Sequence, residues 1–396
     1  MFLRTAILTI LVFSMTNQMA SQVVNPSFGK GINFNAPDSS MSVKMQFRIQ
    51  TLFTGETLLD DSQDWTTNAL VRRARLKFDG FMVDPRFRYK IELGLSNRDI
   101  SPSSDFEEVR AGSKIVLDAV GKYAITDNID LWIGQTKLPG NRERLLSSQK
   151  LDLVDRSLLN SKFNIDRDMG IQLRGIINVG NALLRPQFAL SKGEGRNITA
   201  DNIGGFEYTG KVEFLPMGKF TKGGDYVGAD LAREATPKLA LAVAYDINQG
   251  ASRQQGNLGS FLVDSLGNYL ETDLSGIFAD AMFKYQGLML MVEYAQRSIS
   301  ENIVADNGKG YYTGSALNVH TSYLFDCDWA VSGRFTQIKP DNQTYSGVTE
   351  TAEYTLGISR YIKGHSLKFQ SDASLIDVQG ASDMKLRIRF QMEIAI

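Results

Sequence analysis

The last thirteen residues, MKLRIRFQMEIAI, constrain this chain more than any other stretch. From Met384 onward the even positions Leu386, Ile388, Phe390, Met392, Ile394 and Ile396 are all apolar. The odd positions Lys385, Arg387, Arg389, Gln391 and Glu393 are polar, and only Ala395 departs from the pattern. Side chains alternate faces along a β-strand, so one face of this segment is apolar and the other charged. A half-buried strand of a soluble sandwich alternates in the same way, but this run is long for one. A transmembrane barrel strand needs about 9–11 residues, apolar towards lipid and polar towards the lumen. The segment has that length and that polarity.

Composition leaves room for such a fold. Of the 396 residues 43% are hydrophobic, the mean hydropathy is −0.18, and no mature stretch approaches the roughly 18 apolar residues of a spanning helix. A membrane protein of helices is thereby excluded. A transmembrane barrel is not, because lumen residues cancel lipid-facing ones in the average. The net charge is −1, so any selectivity must come from where charges sit, and no nucleic-acid partner is expected. Residues 1–21 read as an export signal: Arg4, then the apolar Ala6–Phe13, then Met19-Ala20-Ser21 as the cleavage neighbourhood. One cysteine, Cys327, excludes an internal disulfide and a cysteine-based zinc site. Two histidines, His320 and His365, leave little for metal or acid–base chemistry. No metal or cofactor is expected, and no phosphate loop, HExxH or GxSxG motif is present.

After a polar lead-in (22–41), the expected barrel (42–396) shows runs of period two separated by turn chemistry. Val43, Met45, Phe47 and Ile49 share a face, as do Phe87, Tyr89, Ile91, Leu93 and Leu95. Short connections centre on Asp84-Pro85, Asp127-Asn128, Gly180-Asn181, Gln286-Gly287, Asp326–Asp328 and Gly364. Long polar ones lie between them, notably 54–67, 97–112, 138–167, 192–204, 249–272, 299–313 and 339–350. Short periplasmic turns and longer extracellular loops make this pattern, and the count closes at about sixteen antiparallel strands. The connection 215–237 is long on the short side, which suggests an extra hairpin around Tyr226–Glu234. Aromatic residues gather at the short turns (Phe81, Phe87, Tyr285, Phe325, Trp329, Tyr361), as an interfacial girdle requires. Pro186 cannot donate to a ladder, so a pairing break is expected beside it.

The alternation also assigns a facing to each charge. Lumen positions carry Lys44 and Arg48 on the first strand and Arg73, Arg75, Lys77 and Asp79 on the second. The third carries Arg86, Arg88, Lys90 and Glu92, and the last Lys385, Arg387, Arg389 and Glu393. In a closed barrel these strands are neighbours, forming a wall of eleven basic against three acidic residues. An Arg or Lys at the lipid midplane costs about 2–4 kcal/mol, so the row must face water. Rows of Arg and Lys give anion and phosphate pores their preference. The opposite strands balance Glu207, Glu213, Asp246, Asp280, Glu293, Glu353 and Asp372 against Lys211, Lys284, Arg297, Arg334 and Lys368. Arg72 falls in the lipid-facing register, where it must lie near the outer interface.

Four stretches, in order, resemble the phosphate-selective porin O and P family: VRRARLKFDG (Val71–Gly80), DLWIGQTKLPGNRE (Asp130–Glu143), DRDMGIQLRG (Asp166–Gly175) and KVEFLP (Lys211–Pro216). The chain departs from many outer-membrane proteins in ending on Ile396 rather than Phe. The resemblance implies a sixteen-stranded, usually trimeric barrel in the outer membrane of a Gram-negative bacterium, its third loop folded into the pore. That loop would be 138–167, whose basic residues include Arg142, Arg144, Lys150 and Arg156, and helical spacing around Leu145–Leu159 allows a short helix in it. The function expected is a passive, water-filled porin, not an enzyme, whose partners are lipid and small anions such as phosphate. The alternatives are a non-selective pore and a structural or adhesin barrel.

Overall fold

The computed structural model describes residues 22–24, 27–60, 64–100, 114–199, 202–301, 303–306, 308–341 and 347–396; the expected signal segment lies outside them. Nineteen strand segments join in one sheet. Two are short and precede the wall, and two more are halves of one bent strand, which leaves sixteen wall strands. These are β1 (Met41–Leu58), β2 (Thr66–Met82), β3 (Asp84–Gly94), β4 (Val116–Thr126), β5 (Ile129–Lys137), β6 (Arg167–Gly175, resuming as Ile177–Val179), β7 (Ala182–Ser191) and β8 (Glu207–Leu215). Then come β9 (Lys238–Ala251), β10 (Thr272–Tyr285), β11 (Leu288–Ile299), β12 (Gly314–Leu324), β13 (Trp329–Pro340), β14 (Thr351–Tyr361), β15 (Leu367–Val378) and β16 (Lys385–Ala395).

Neighbours in sequence are neighbours in the wall and antiparallel, and β16 closes on β1 from Lys385 opposite Leu58 to Ala395 opposite Arg48. Closure leaves no sheet edge in hydrocarbon, where an unpaired backbone group costs several kcal/mol. β16 stops short of the start of β1. There Ser42–Met45 pair instead with Ile32–Asn35, which also pairs with Gln22–Val24. The lead-in thus supplies the ladder partner that β16 does not reach.

The wall is inside out relative to a soluble protein. On β8 the inward Glu207, Thr209, Lys211 and Glu213 are buried while the outward Tyr208, Val212 and Phe214 are exposed to the lipid side. Near the short turns Phe87 stacks on Tyr123 at 4.6 Å, and Tyr323 meets Phe325 edge-on at 5.0 Å. Tyr361 is an exception to the expected girdle: it points inward against Ala229, Leu324 and Ala330.

Local chemistry sets the irregularities. The Gln286-Gly287 turn has φ of +46° and +90°, the paired positive angles of a tight type I′ hairpin, which glycine accommodates without strain. The first short turn centres on Val83, one residue before the expected Asp84-Pro85. Beside Pro186 the partner strand breaks: β7 pairs with β6 through Gln187–Ser191 and again through Ala182–Leu184, leaving Arg185 and Pro186 unpaired on that side. Connection 216–237 holds no hairpin; a 3₁₀ turn at Thr221–Tyr226 leads into a segment that runs inside the barrel. The reason is side-chain capture of its backbone: the Lys284 ammonium donates to the carbonyls of Val227 (2.9 Å) and Ala229 (3.2 Å).

The long connections lie on one rim and the short ones on the other, and an outside-facing residue must be chosen by exposure as well as by rim. Gln254–Leu258, on the long rim, folds down over the mouth, where the Asn257 amide donates to Glu207. Leu266, on the same connection, is 85% exposed. In a Cys327→Ser background, Leu266→Cys is expected to react with an impermeant maleimide on intact cells and Val83→Cys to react only after the outer membrane is opened. The reverse labelling would invert the topology.

Candidate functional site

Segment 138–166, between β5 and β6, crosses the lumen. It forms a short helix at Arg142–Leu145, a 3₁₀ turn at Ser148–Lys150 and a second short helix at Leu158–Lys162. One helix through Leu145–Leu159 does not form, because wall side chains claim the backbone between. The Val154 amide donates to Asp372 (3.0 Å), Arg334 donates to the Asp155 carbonyl (2.8 Å), and the Ser359 hydroxyl donates to the Asp152 carbonyl (2.8 Å). The apolar side of the loop rests on small inward residues: Leu138, Leu159, Phe163 and Ile165 pack on Ala189, Ala244, Ala295 and Ala316. Alanine at these lumen positions leaves the space the loop fills.

Several charges of strands β8–β15 are spent on this docking. Arg142, fully buried, donates to Asp280 (2.5 Å) and lies 3.5 Å from Glu213. Lys211 donates to the Gly140 carbonyl (2.9 Å), Arg297 to Asn164 (2.7 Å) and Lys368 to Leu151 (2.5 Å). From the periplasmic side the inserted segment meets the loop directly: the Gly228 amide donates to the Lys150 carbonyl (2.8 Å), and the Tyr226 hydroxyl donates to Glu213 (2.5 Å). That half of the interior is filled.

The open half runs along β1–β6. A cavity of about 840 Å³ there is lined by fifteen basic and four acidic residues. The acids are Glu92, Asp99, Asp118 and Asp166, and each is bridged: Lys90–Asp118 at 2.7 Å, Lys90–Glu92 at 2.9 Å, Arg75–Asp99 at 2.5 Å, and Arg144 with Asp166. Lys44, Lys122, Lys137, Lys150, Arg156, Arg174 and Arg196 line it with no carboxylate within 4.0 Å among the described residues. Lys137 and Arg156 are held by backbone carbonyls instead, and Lys122 and Arg174 lie 3.6 and 4.0 Å from the Trp132 ring centre. A second cavity of about 570 Å³ on the periplasmic side is lined by Arg86, Arg88, Asp130 and Arg185, and the two share Arg174 and Tyr226.

At the edge of the loop facing this path sits Asp155. Its carboxylate accepts from Arg72 (2.5 Å) and from Arg73 (3.0 Å), adjacent residues of one strand. Adjacent residues face inward together because β2 carries a bulge: Gln50 opposes Arg73, and Thr51 opposes Val71. The extra residue is Arg72. Its expected place near the outer interface is therefore wrong, and the alternation fails because one inserted residue shifts the register. Burial disfavours the Asp155 charge, but Arg73 and Arg72 outweigh it and hold the carboxyl well below the usual carboxylate range.

The family model for phosphate-selective porin O and P matches residues 43–389. This chain belongs to that family. An uncharacterised protein of Aquifex aeolicus (strain VF5) is 21% identical over 357 residues, which cover 85% of this chain and 82% of that protein. Among solved structures, an anion-selective porin from Comamonas acidovorans superposes with a TM-score of 0.56 at 12% identity, over 90% of this chain and 100% of that one. The outer membrane channel DcaP of Acinetobacter baumannii gives 0.56 at 11% identity, over 92% and 99%. Both share the fold. The protein is a porin, a channel for small solutes in a Gram-negative outer membrane.

Of the residues the porin's sequence points to, Lys44, Arg48, Arg73, Arg75, Lys77, Lys90, Arg144, Lys150 and Arg156 line the larger cavity, and Arg86 and Arg88 the periplasmic one. The three from β16 do not. Arg389 is buried against Asp372 (2.7 Å), Arg387 bonds Glu353 (2.7 Å), and Lys385 sits by Glu56 at the outer rim (3.5 Å). Arg142 is an anchor to the far wall, away from the open path. Lys122, Lys137, Arg167, Arg174 and Arg196 join the lining as well; Lys122 and Arg174 obey the same alternation carried on to β4 and β6.

Removing one member of a buried ion pair costs about 3–5 kcal/mol. Asp280→Ala is therefore expected to loosen the loop, raising single-channel conductance and opening noise in planar bilayers and exposing 138–166 to protease; unchanged conductance and protection would refute this docking role. The Asp155 latch has a signed pH dependence. A depressed carboxyl stabilises fully above its unfolded pKa of about 4, and the stabilisation is lost only as pH falls through the lower folded value. Conductance is expected to hold from pH 7 to 5 in wild type and to be raised already at pH 7 in Asp155→Asn.

Proposed function

We propose that this porin prefers small anions, phosphate among them, and passes them passively along the β1–β6 side of the lumen. The observation that supports the reading is the lining of the larger cavity, fifteen basic against four acidic residues, with the acids already bridged. Low-dielectric walls focus such a field and raise the local concentration of counter-ions. Guanidinium groups stay charged and can grip two phosphate oxygens at once. The route needs no cofactor and no chemical step. Family membership also supports a homotrimer in the outer-membrane lipid.

The test is the zero-current potential in a salt gradient. Lys44, Lys122 and Arg174 have no carboxylate within 4.0 Å among the described residues, so reversing them breaks no ion pair there. Wild type is expected to prefer anions, and Lys44→Glu/Lys122→Glu/Arg174→Glu to shift towards cations. The shift should shrink at 1 M salt, where the screening length falls to about 3 Å. Phosphate added to a chloride current is expected to reduce it in wild type and less in the triple variant. An unchanged potential in a folded, conducting triple variant would reduce the protein to a general diffusion pore.

A further inference from the structure

On the filled side of the lumen we propose a binding site for a soft monovalent cation, Cu(I), made by Met282, Met289, Met291 and His320. The register brings them together: Met282 on β10 lies directly opposite Met291 on β11, and Met291 directly opposite His320 on β12. Directly opposed residues have Cβ atoms about 4.5–5.5 Å apart, within reach of a common point for thioether and imidazole side chains. Met289 is two residues from Met291, on the same inward face. The four are 0, 0, 2 and 3% exposed, and all line one small cavity of about 10 Å³, whose wall also includes Asp152, Gly228 and the loop residues Leu146, Leu151 and Leu153. Such a volume holds about one water, and so a bare ion rather than a hydrated one.

The imidazole is the second, independent sign. Neither ring nitrogen of the buried His320 has a hydrogen-bond partner among the described residues, and Nε2 lies 3.3 Å from the Asp152 carboxylate. A carboxylate beside one ring nitrogen is how proteins orient a metal-binding histidine and leave the other nitrogen to the metal. Thioethers are soft ligands that select Cu(I) over hard cations. A single positive ion suits the charges here: the three thioethers carry none, and the carboxylate beside the ring is Asp152. The other acids at the cavity face cations, Glu143 facing Arg334 (3.7 Å) and Asp155 facing Arg72 and Arg73. Packing alone would be served as well by leucine, and that substitution separates the two roles.

Folded protein in detergent, titrated anaerobically with Cu(I) against the chromogenic chelator bicinchoninate, is expected to take up one equivalent. X-ray absorption at the copper edge should show sulfur and nitrogen neighbours, and Ag(I) should compete. Met282→Leu/Met291→Leu, which conserves volume, is expected to lower affinity at least 100-fold while keeping the heat-resistant gel mobility of a folded barrel. His320→Gln should remove the nitrogen signal. No stoichiometric uptake by folded wild type, or equal affinity in the folded double-leucine variant, would overturn the site and leave the methionines as packing. The readout is metal binding, so it is independent of ion preference in the channel.

Discussion

In hydrocarbon a backbone N–H or C=O that lacks a partner has no water to turn to, and this constraint organises the molecule. It demands that β16 meet β1, which it does over most of the length of both. It also explains the lead-in, whose Ile32–Asn35 completes the ladder of β1 beyond the end of β16. Once closure is met, the outward face can be apolar and most of the strand charges turn inward. The interior then becomes the place where charge must be compensated.

Compensation is achieved in two ways on the two sides of one lumen. Along β8–β15 the cations bond carboxylates or the backbone carbonyls of the inserted segments, as Lys211 does with Gly140 and Lys284 with Val227. Those bonds fix the loop and the periplasmic segment, which fill this side. Along β1–β6 Lys44, Lys122 and Arg174 have no carboxylate within 4.0 Å among the described residues, and Lys122 and Arg174 lie over the Trp132 ring instead. Asp155 stands on the boundary, a loop residue held by two arginines of the open wall.

Strand number, topology and the facing of most charges were legible because lipid imposes a strict alternation on each strand. The same rule places Arg48, Arg73 and Arg75 in the cavity. It fails at Arg72, since a single-residue bulge has no marker in VRRARL. It fails differently at Arg387, Arg389 and Arg142: their facing is inward, but what meets them there, Glu353, Asp372 and Asp280, is chosen by tertiary packing. The inserted segment 216–237 reads as a hairpin because polar residues at a turn and polar residues inside a wet lumen have the same composition. Ala189, Ala244, Ala295 and Ala316 are the one local trace of the loop's seat. The three methionines read as ordinary apolar residues, and only cross-strand register sets them beside His320.

The two cavities have Arg174 and Tyr226 in common, and cavities that follow one another conduct as resistors in series. Current through such a circuit is limited at its narrowest part, and most of an applied voltage falls there. A charge placed there acts on every ion that crosses, whereas the same charge in a wide vestibule is diluted by electrolyte. The width set by sixteen strands therefore says little about how fast this pore conducts. Arg174 on β6 and Tyr226 on a periplasmic connection are the side chains that line both cavities.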